Sequence, residues 1–241
     1  MTEQHGKRPD NTRPMSYVLL TKYGIGGALR ILYKDVWFDI RHGVDTAAPA
    51  SQHKLFGDKF SDEQHRYVAS TFDVMNSTLE FAARHIDLTQ CEFLDLGSGK
   101  GKALIAASEF PFRSLRGVEL SAMANTVARK NLQKLDLESR IELVQGSAAD
   151  CVFRADERVV YFFNSFSGAT LESVLQNLMQ APRSGPGMLI YVNPTEYQHV
   201  ERYFDCVEHG FVDPGHCEIR YYSLPASPAS VPLSKNAVDK P

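Results

Sequence analysis

The segment FLDLGSGKGKALIAAS, Phe93 to Ser108, limits the possible folds of this chain more than any other part of it. An apolar run ends at Leu96, the chain passes through Gly97, Gly99 and Gly101, and an Ala- and Leu-rich helical stretch follows at once. Glycine has no Cβ, so glycines this dense permit the positive φ values of a tight turn and let the backbone approach a ligand closely. The first N–H groups of the helix have no intrahelical acceptor and would face that ligand.

The alternation continues downstream. Apolar runs at Cys91–Leu96, Ser114–Glu119, Ile141–Gln145, Val159–Asn164, Met188–Asn193, Phe204–Glu208 and Cys217–Leu224 predict seven strands. Helical patterns fill Lys102–Phe110, Met123–Leu135, Leu171–Met179 and Glu196–Phe204. Upstream, Thr71–Ile86 spaces Phe72, Met75, Leu79, Ala82 and Ala83 as an amphipathic helix, with Ser70 or Thr71 as its N-cap. The run VVYFFN at Val159–Asn164 is continuously apolar, as expected of a strand covered on both faces. The pattern predicts an α/β protein with a doubly wound, mostly parallel seven-stranded sheet, whose ligand lies at the C-terminal strand edge.

This arrangement divides the chain into a polar, mobile N-terminus (1–14), a helical cap and lid region (15–90), the α/β domain (91–224) and a flexible tail (225–241) rich in Pro, Ser and Ala. Within the cap, Tyr17–Arg41 reads as helical pieces broken at Gly24, Gly26 and Gly27, and His53–Tyr67 as a loop. Hydrophobic residues make up 43% of the chain, enough for a sizeable core. The 26 Lys and Arg against 29 Asp and Glu leave a net charge of −3, which carries no electrostatic footprint of a nucleic-acid binder. No apolar run is long enough to span a membrane and the N-terminus lacks a signal-peptide core, so no membrane partner is expected. Cys91, Cys151, Cys206 and Cys217 form no CxxC pair, which suits reduced thiols and a cytoplasmic location. His42, His53 and His65 are irregularly spaced, and no metal is expected.

Spacing discriminates among the nucleotide-binding glycine loops. A P-loop would need glycine at position 94 or 96, both of which are Leu, and Ser or Thr after the lysine, which neither Lys100 nor Lys102 has. The dinucleotide fingerprint would start at Gly97 and Gly99, but its third glycine falls on Lys102. What remains is an acidic residue two places before the first glycine, in Asp95-Leu96-Gly97-Ser98-Gly99-Lys100-Gly101.

In this motif the chain resembles the class I S-adenosylmethionine-dependent methyltransferases, whose first motif has the form (D/E)xGxGxG. The resemblance covers Phe93 to about Asp150 and implies a Rossmann-like methyltransferase fold with S-adenosyl-L-methionine as cofactor. It implies that Asp95, Gly97, Gly99 and Gly101 hold the methionine end, where a carboxylate suits an ammonium and a sulfonium. Glu119, ending the second strand, would accept from the ribose hydroxyls, and Ser147 would stand beside the adenine. Ser147-Ala148 departs from the common Gly-Asp form. Tyr67, in a stretch loosely similar to the Tyr-x-Pro-Thr segment of some members, would lie over the cofactor. The residues by themselves also admit plainer roles: Asp95 as a helix N-terminal charge, Glu119 as an exposed strand end.

On the acceptor side, Asn164-Ser165-Phe166 is similar to the Asn/Asp-Pro-Pro-aromatic motif of amino-methylating members, without its prolines, and to the Asn-x-Phe of non-SET histone-lysine methyltransferases. The likeness implies transfer to a nitrogen of a protein side chain or small molecule, with Asn164 and Phe166 as catalytic residues. A turn role for Asn164 and core packing for Phe166 compete with it. A hydroxyl or carboxylate acceptor would call for a base such as His65 or His199. Asn193 before Pro194 should end the fifth strand sharply. Two other functions share this pattern: a non-catalytic protein that keeps the cofactor fold, and a nicotinamide-dependent oxidoreductase, against which Lys102 and Asp95 both argue.

Overall fold

The computed structural model describes residue 26 and residues 32–47, 70–212 and 217–227. A π-helical turn at Leu32–Val36 leads into α1 (Trp37–His42), and α2 (Phe72–His85) follows. The α/β succession is then β1 (Glu92–Leu96), α3 (Lys102–Ala107), β2 (Ser114–Glu119), α4 (Ala122–Lys134), β3 (Ile141–Gln145), β4 (Val159–Phe163), α5 (Gly168–Gln180), β5 (Gly187–Val192), α6 (Tyr197–Val200), β6 (Cys206–Val212) and β7 (Cys217–Leu224).

The seven strands form one sheet in the order β3-β2-β1-β4-β5-β7-β6. The pairs from β3 through β5 are parallel, whereas β7 runs antiparallel to both β5 and β6. Strand order therefore reverses between β1 and β4, and a crevice opens at their C-terminal ends, where such sheets take ligands. In register, Asp95 on β1 stands between Gly117 on β2 and Tyr161 on β4.

The apolar strands split their side chains between two faces with period two. Phe93, Val159, Tyr161, Ile190 and Ile219 pack against Met75, Leu79 and Ala82 of α2 and the Ala-rich α3. Leu94, Leu96, Val160, Phe162 and Tyr191 pack against Leu171, Val174, Leu175 and Leu178 of α5. α2 thus shares its core with the sheet. Its N-cap is Thr71, whose side chain accepts from the Val74 N–H at 3.2 Å. Val74 and Thr78 are buried on its inner face, whereas Ala83, expected there, is exposed.

Several boundaries differ from the sequence expectation for local reasons. β4 stops at Phe163 because Asn164 has φ +39°, and β5 stops at Val192 because Asn193 has φ +53°, left-handed values that Asn tolerates better than most residues. α3 ends at Ala107, and Glu109 and Phe110 continue as tighter turns onto Ala106 and Ala107 carbonyls. α6 covers only Tyr197–Val200, and β6 runs on to Val212. Tyr67, His53 and His65, the first 14 residues and the tail beyond residue 227 lie outside the described residues. Among the described residues no helix is long and apolar enough to cross a membrane.

Candidate cofactor and acceptor site

Gly97, Gly99 and Gly101 have φ of +84°, +53° and +85°, so the turn between β1 and α3 is built from backbone that only glycine adopts without strain. The loop is tied to β2. The N–H groups of Gly97 and Ser98 donate to the Val118 carbonyl at 2.8 and 3.1 Å, and Gly99 N–H donates to Glu119 Oε2 at 2.8 Å. Ser121 N–H donates to Glu119 Oε1 at 2.7 Å. A Cβ on Gly117 would stand 2.6 Å from Leu104 and 2.8 Å from Ser98 Cβ, so β2 also needs a glycine where loop and helix cross it.

Asp95 is 2% exposed, and among the described residues nothing donates a hydrogen bond to its carboxylate. Burial, and then the nearby Glu119 charge, hold its carboxyl well above the usual carboxylate range. Burial also raises Glu119, against the opposing effect of the N–H groups of Ser121, Gly99 and Leu120. Two buried carboxylates therefore share one end of the crevice without a neutralising cation among the described residues. The Ser98 hydroxyl and both amide atoms of Asn125, on the α4 turn beside Ser121, are likewise buried without a hydrogen-bond partner among those residues. Unpaired buried polar groups are rare in native structures and call for a reason.

Ser147 lies just past β3 and caps the short turn Ala148–Asp150 by accepting from Ala149 N–H at 3.2 Å. The preceding residue, Gly146, donates its N–H to the Glu119 carbonyl at 3.0 Å, which brings this strand end beside Glu119.

On the other side of the crevice, Asn164 is buried, and its Oδ1 accepts from Thr195 Oγ1 at 2.7 Å and Tyr191 OH at 3.2 Å. Tyr191 OH in turn accepts from Glu196 N–H at 3.3 Å, so its own proton is directed to Asn164. That proton fixes the amide orientation: with the amide reversed, the buried Tyr191 hydroxyl would lack an acceptor. Phe166 points into the second core, its ring stacked on Phe162 with centroids 5.0 Å apart. Ser165 lies against the glycine loop, since a Cβ on Gly97 would be 2.5 Å from its Cβ and Oγ. The glycine loop and the loop after β4 are in direct contact.

His199 Nε2 bonds Glu172, which also accepts from Tyr203 OH, and His199 Nδ1 is 3.8 Å from Glu196. Both ring nitrogens face carboxylates. Glu196 also accepts from Gly168 N–H at 3.3 Å, and Glu218 pairs with Arg220 at 2.8 Å, so this strand edge is rich in carboxylates. Among the described residues no three His, Cys, Asp or Glu side chains are placed to hold a metal.

The sequence reading missed the partners of the two loop lysines. Lys100 Nζ donates to Asp45 at 2.7 Å, and Lys102 Nζ pairs with Asp35 at 2.9 Å. Asn131 of α4 donates to the carbonyls of Asp45 and Lys100 and accepts from Asp45 N–H, completing a clip that holds residues 32–47 to the glycine loop. Ser70, just before α2, is hydrogen-bonded to Tyr161, the register neighbour of Asp95. Two lysines within an acidic glycine motif were the available signal for the first of these contacts.

No protein-family model and no curated protein matches the chain. Solved structures do. An RNA methyltransferase from Salinibacter ruber in complex with S-adenosyl-L-homocysteine superposes with a TM-score of 0.53 at 17% identity, over 68% of this chain and 97% of that one. The putative methyltransferase yhhF of Escherichia coli gives 0.53 at 16% identity, over 65% and 87%. The glycopeptide N-methyltransferase MtfA, solved with S-adenosyl-L-methionine, gives 0.51 at 16% identity, over 64% and 95%. With its seven-stranded sheet reversing between β1 and β4, and with β7 inserted antiparallel, the chain has the class I S-adenosylmethionine-dependent methyltransferase fold.

Proposed function

We propose that this chain is an S-adenosylmethionine-dependent methyltransferase acting on a small-molecule or protein acceptor held at the ends of β4 and β5. The observation that carries the reading is the Asp95 carboxylate, buried beside Glu119 at the switch point with no donor among the described residues. A ligand with an ammonium group relieves that arrangement; a pyrophosphate aggravates it. The donor set therefore fits the cofactor. Asp95 would take its ammonium, and the glycine loop would lie along its methionine end. Glu119 would take the ribose hydroxyls through the lone pairs that Gly99 and Ser121 leave free, and Ser147 and Tyr67 would be further contacts. When bound, the cofactor supplies a methyl on a sulfonium, an activated leaving group.

The chain's own part is then to orient the acceptor and strip water from it. A nitrogen acceptor, the expectation from Asn164 and Phe166, is supported by the carboxylates Glu172 and Glu196 near this edge, which favour a basic molecule. Phe166 would act by packing the Asn164 loop against Phe162. A second reading rests on the Asn164 amide: its oxygen already accepts from Tyr191 and Thr195, leaving Nδ2 as the group it can present. An oxygen nucleophile can accept from Nδ2 with one lone pair and attack with another, whereas a neutral amine has only one.

Thermal unfolding with S-adenosylhomocysteine, and with NAD in parallel, tests the cofactor reading. At 100 times its dissociation constant a ligand stabilises by about 2.7 kcal/mol. A shift with S-adenosylhomocysteine alone, weakened in Asp95→Asn and Glu119→Gln, supports the proposal; no shift in folded protein overturns it, and a shift with NAD alone favours an oxidoreductase. Cofactor binding without methyl transfer to any of a panel of amine and oxygen acceptors would favour a binding protein that keeps the fold.

A further inference from the structure

The loop Asn164-Ser165-Phe166-Ser167-Gly168 leaves β4 and starts α5, and both of its ends have left-handed backbone, Asn164 at φ +39° and Gly168 at φ +56°. A non-glycine residue at such a φ is held there by its surroundings. One dipeptide supplies contacts at both ends. Thr195 Oγ1 donates to Asn164 Oδ1 at 2.7 Å, and Glu196 Oε2 accepts from Gly168 N–H at 3.3 Å. Ser167, at the N-cap position of α5, makes no side-chain cap, so the Glu196 carboxylate serves the helix start from another part of the chain. Between these contacts, Glu196 N–H donates to Tyr191 OH at 3.3 Å, and Tyr191 OH donates to Asn164 Oδ1 at 3.2 Å. The dipeptide is itself fixed from β5. Asn193 turns the chain at φ +53°, its N–H donates to the Glu218 carbonyl of β7 at 2.8 Å, and the Pro194 ring locks the next φ. His199 Nδ1 stands 3.8 Å from Glu196 and its Nε2 bonds Glu172 of α5, so the carboxylate is also approached from α6.

We propose that Thr195 and Glu196 are positioning residues for methyl transfer, a clamp on the Asn164–Gly168 loop that aims the Asn164 amide at the acceptor. The proposal rests on the reading of Asn164 as the acceptor-side group. Thr195 acts on the amide directly, through Oδ1. Glu196 acts on it through Tyr191 at one end of the loop and through Gly168 at the other. With Oδ1 occupied by two hydroxyl donors, the direction of Nδ2 follows from the clamp. Ser165, in the middle of the loop, lies against Gly97, so the clamp also sets how the loop meets the glycine turn. Alignment of this kind is where a methyl transfer is sensitive, since a misplacement of about 1 Å can cost on the order of 100-fold in rate.

The test sets deletion against conservation at each position, in the full-length protein. Thr195→Val removes the hydroxyl and Glu196→Ala the carboxylate, whereas Thr195→Ser keeps a donor and Glu196→Gln keeps an acceptor for Gly168 N–H. The first readout is the Asn164 side-chain amide pair in nitrogen-correlated NMR spectra, assigned by its loss in Asn164→Asp. It should move in Thr195→Val and Glu196→Ala and hold its wild-type position in Thr195→Ser and Glu196→Gln. The second is turnover with S-adenosylmethionine and a panel of amine and oxygen acceptors. There kcat should fall by about 10- to 100-fold in the two deleting variants and be largely restored in the two conservative ones, with the KM for S-adenosylmethionine unchanged. An amide pair indifferent to all four substitutions overturns the clamp. A kcat that falls as far in the conservative variants, or a cofactor KM that rises in step with its loss, overturns the positioning role and leaves only support of the fold. If the wild type methylates nothing in the panel, the functional reading fails on its own, and the amide pair alone upholds or overturns the clamp.

Discussion

Lys102 Nζ lies 2.9 Å from Asp35 Oδ2, and each side chain is 4% exposed, so the second lysine of the glycine loop is neutralised by a residue far upstream in the chain. Burial pushes the Asp35 carboxyl up and the Lys102 ammonium down, and each partner partly offsets the shift of the other. The Phe72 ring, 5.1 Å from Nζ, adds a cation–π contact.

Breaking this pair from one side should cost more than removing it. Asp35→Ala leaves a buried ammonium without its partner and is expected to destabilise by about 3–5 kcal/mol, whereas Asp35→Leu with Lys102→Met should cost clearly less. Urea unfolding of the two single variants and the double variant gives the coupling energy. Additive single effects would mean that the pair is not coupled.

Asp95 should trade stability for binding. Its folded-state pKa is raised, so the stability linked to this group is complete below the ordinary carboxylate range and is lost as pH rises through the folded value. Asp95→Asn cannot ionise. It should stabilise the ligand-free protein at neutral pH by about 0.5–2 kcal/mol while weakening the S-adenosylhomocysteine shift. A destabilised variant that still binds would contradict the role assigned to Asp95.

The same group sets a pH dependence of binding. A ligand ammonium needs the ionised carboxylate, so binding expels the proton that burial favours on Asp95. Affinity for S-adenosylhomocysteine should fall by about tenfold per pH unit below the raised pKa and level off above it. Titration calorimetry in two buffers of different ionisation enthalpy should show proton release. Affinity that stays flat through the acidic range would exclude Asp95 as the ammonium site.

Gly97→Ala should damage both loops at once. The substitution meets φ +84° and places Cβ 2.5 Å from Ser165, with an expected cost of about 2 kcal/mol or more. Adding Ser165→Gly should recover the part due to the contact and leave the part due to φ. Equal stability of the single and double variants in guanidinium unfolding would show that the loops do not touch.

What the sequence made legible was local. Asp95, the three glycines and Glu119 stand at strand ends, and strand periodicity with glycine spacing places them within a residue or two. The Gly117 approach and the two Asn residues at positive φ left weaker marks, because a glycine in a strand or an Asn at its end has several explanations. The contacts of Lys100 with Asp45 and of Asn164 with Thr195 join residues 55 and 31 positions apart and leave no periodic trace. Phe166 shows the remaining difficulty: its place in the motif is readable, but the direction of its ring depends on how α5 closes over β4.

The clip on the two loop lysines also defines how short the chain can be made. A fragment starting after residue 47 would keep the whole sheet but leave Lys100 and Lys102 without Asp45 and Asp35. Lys102, which is buried beside Asp35 in the longer chain, would then be an ammonium whose carboxylate the cut has removed. A dissected core would display a basic character of its own making, so a polyanion affinity measured on it would describe the cut.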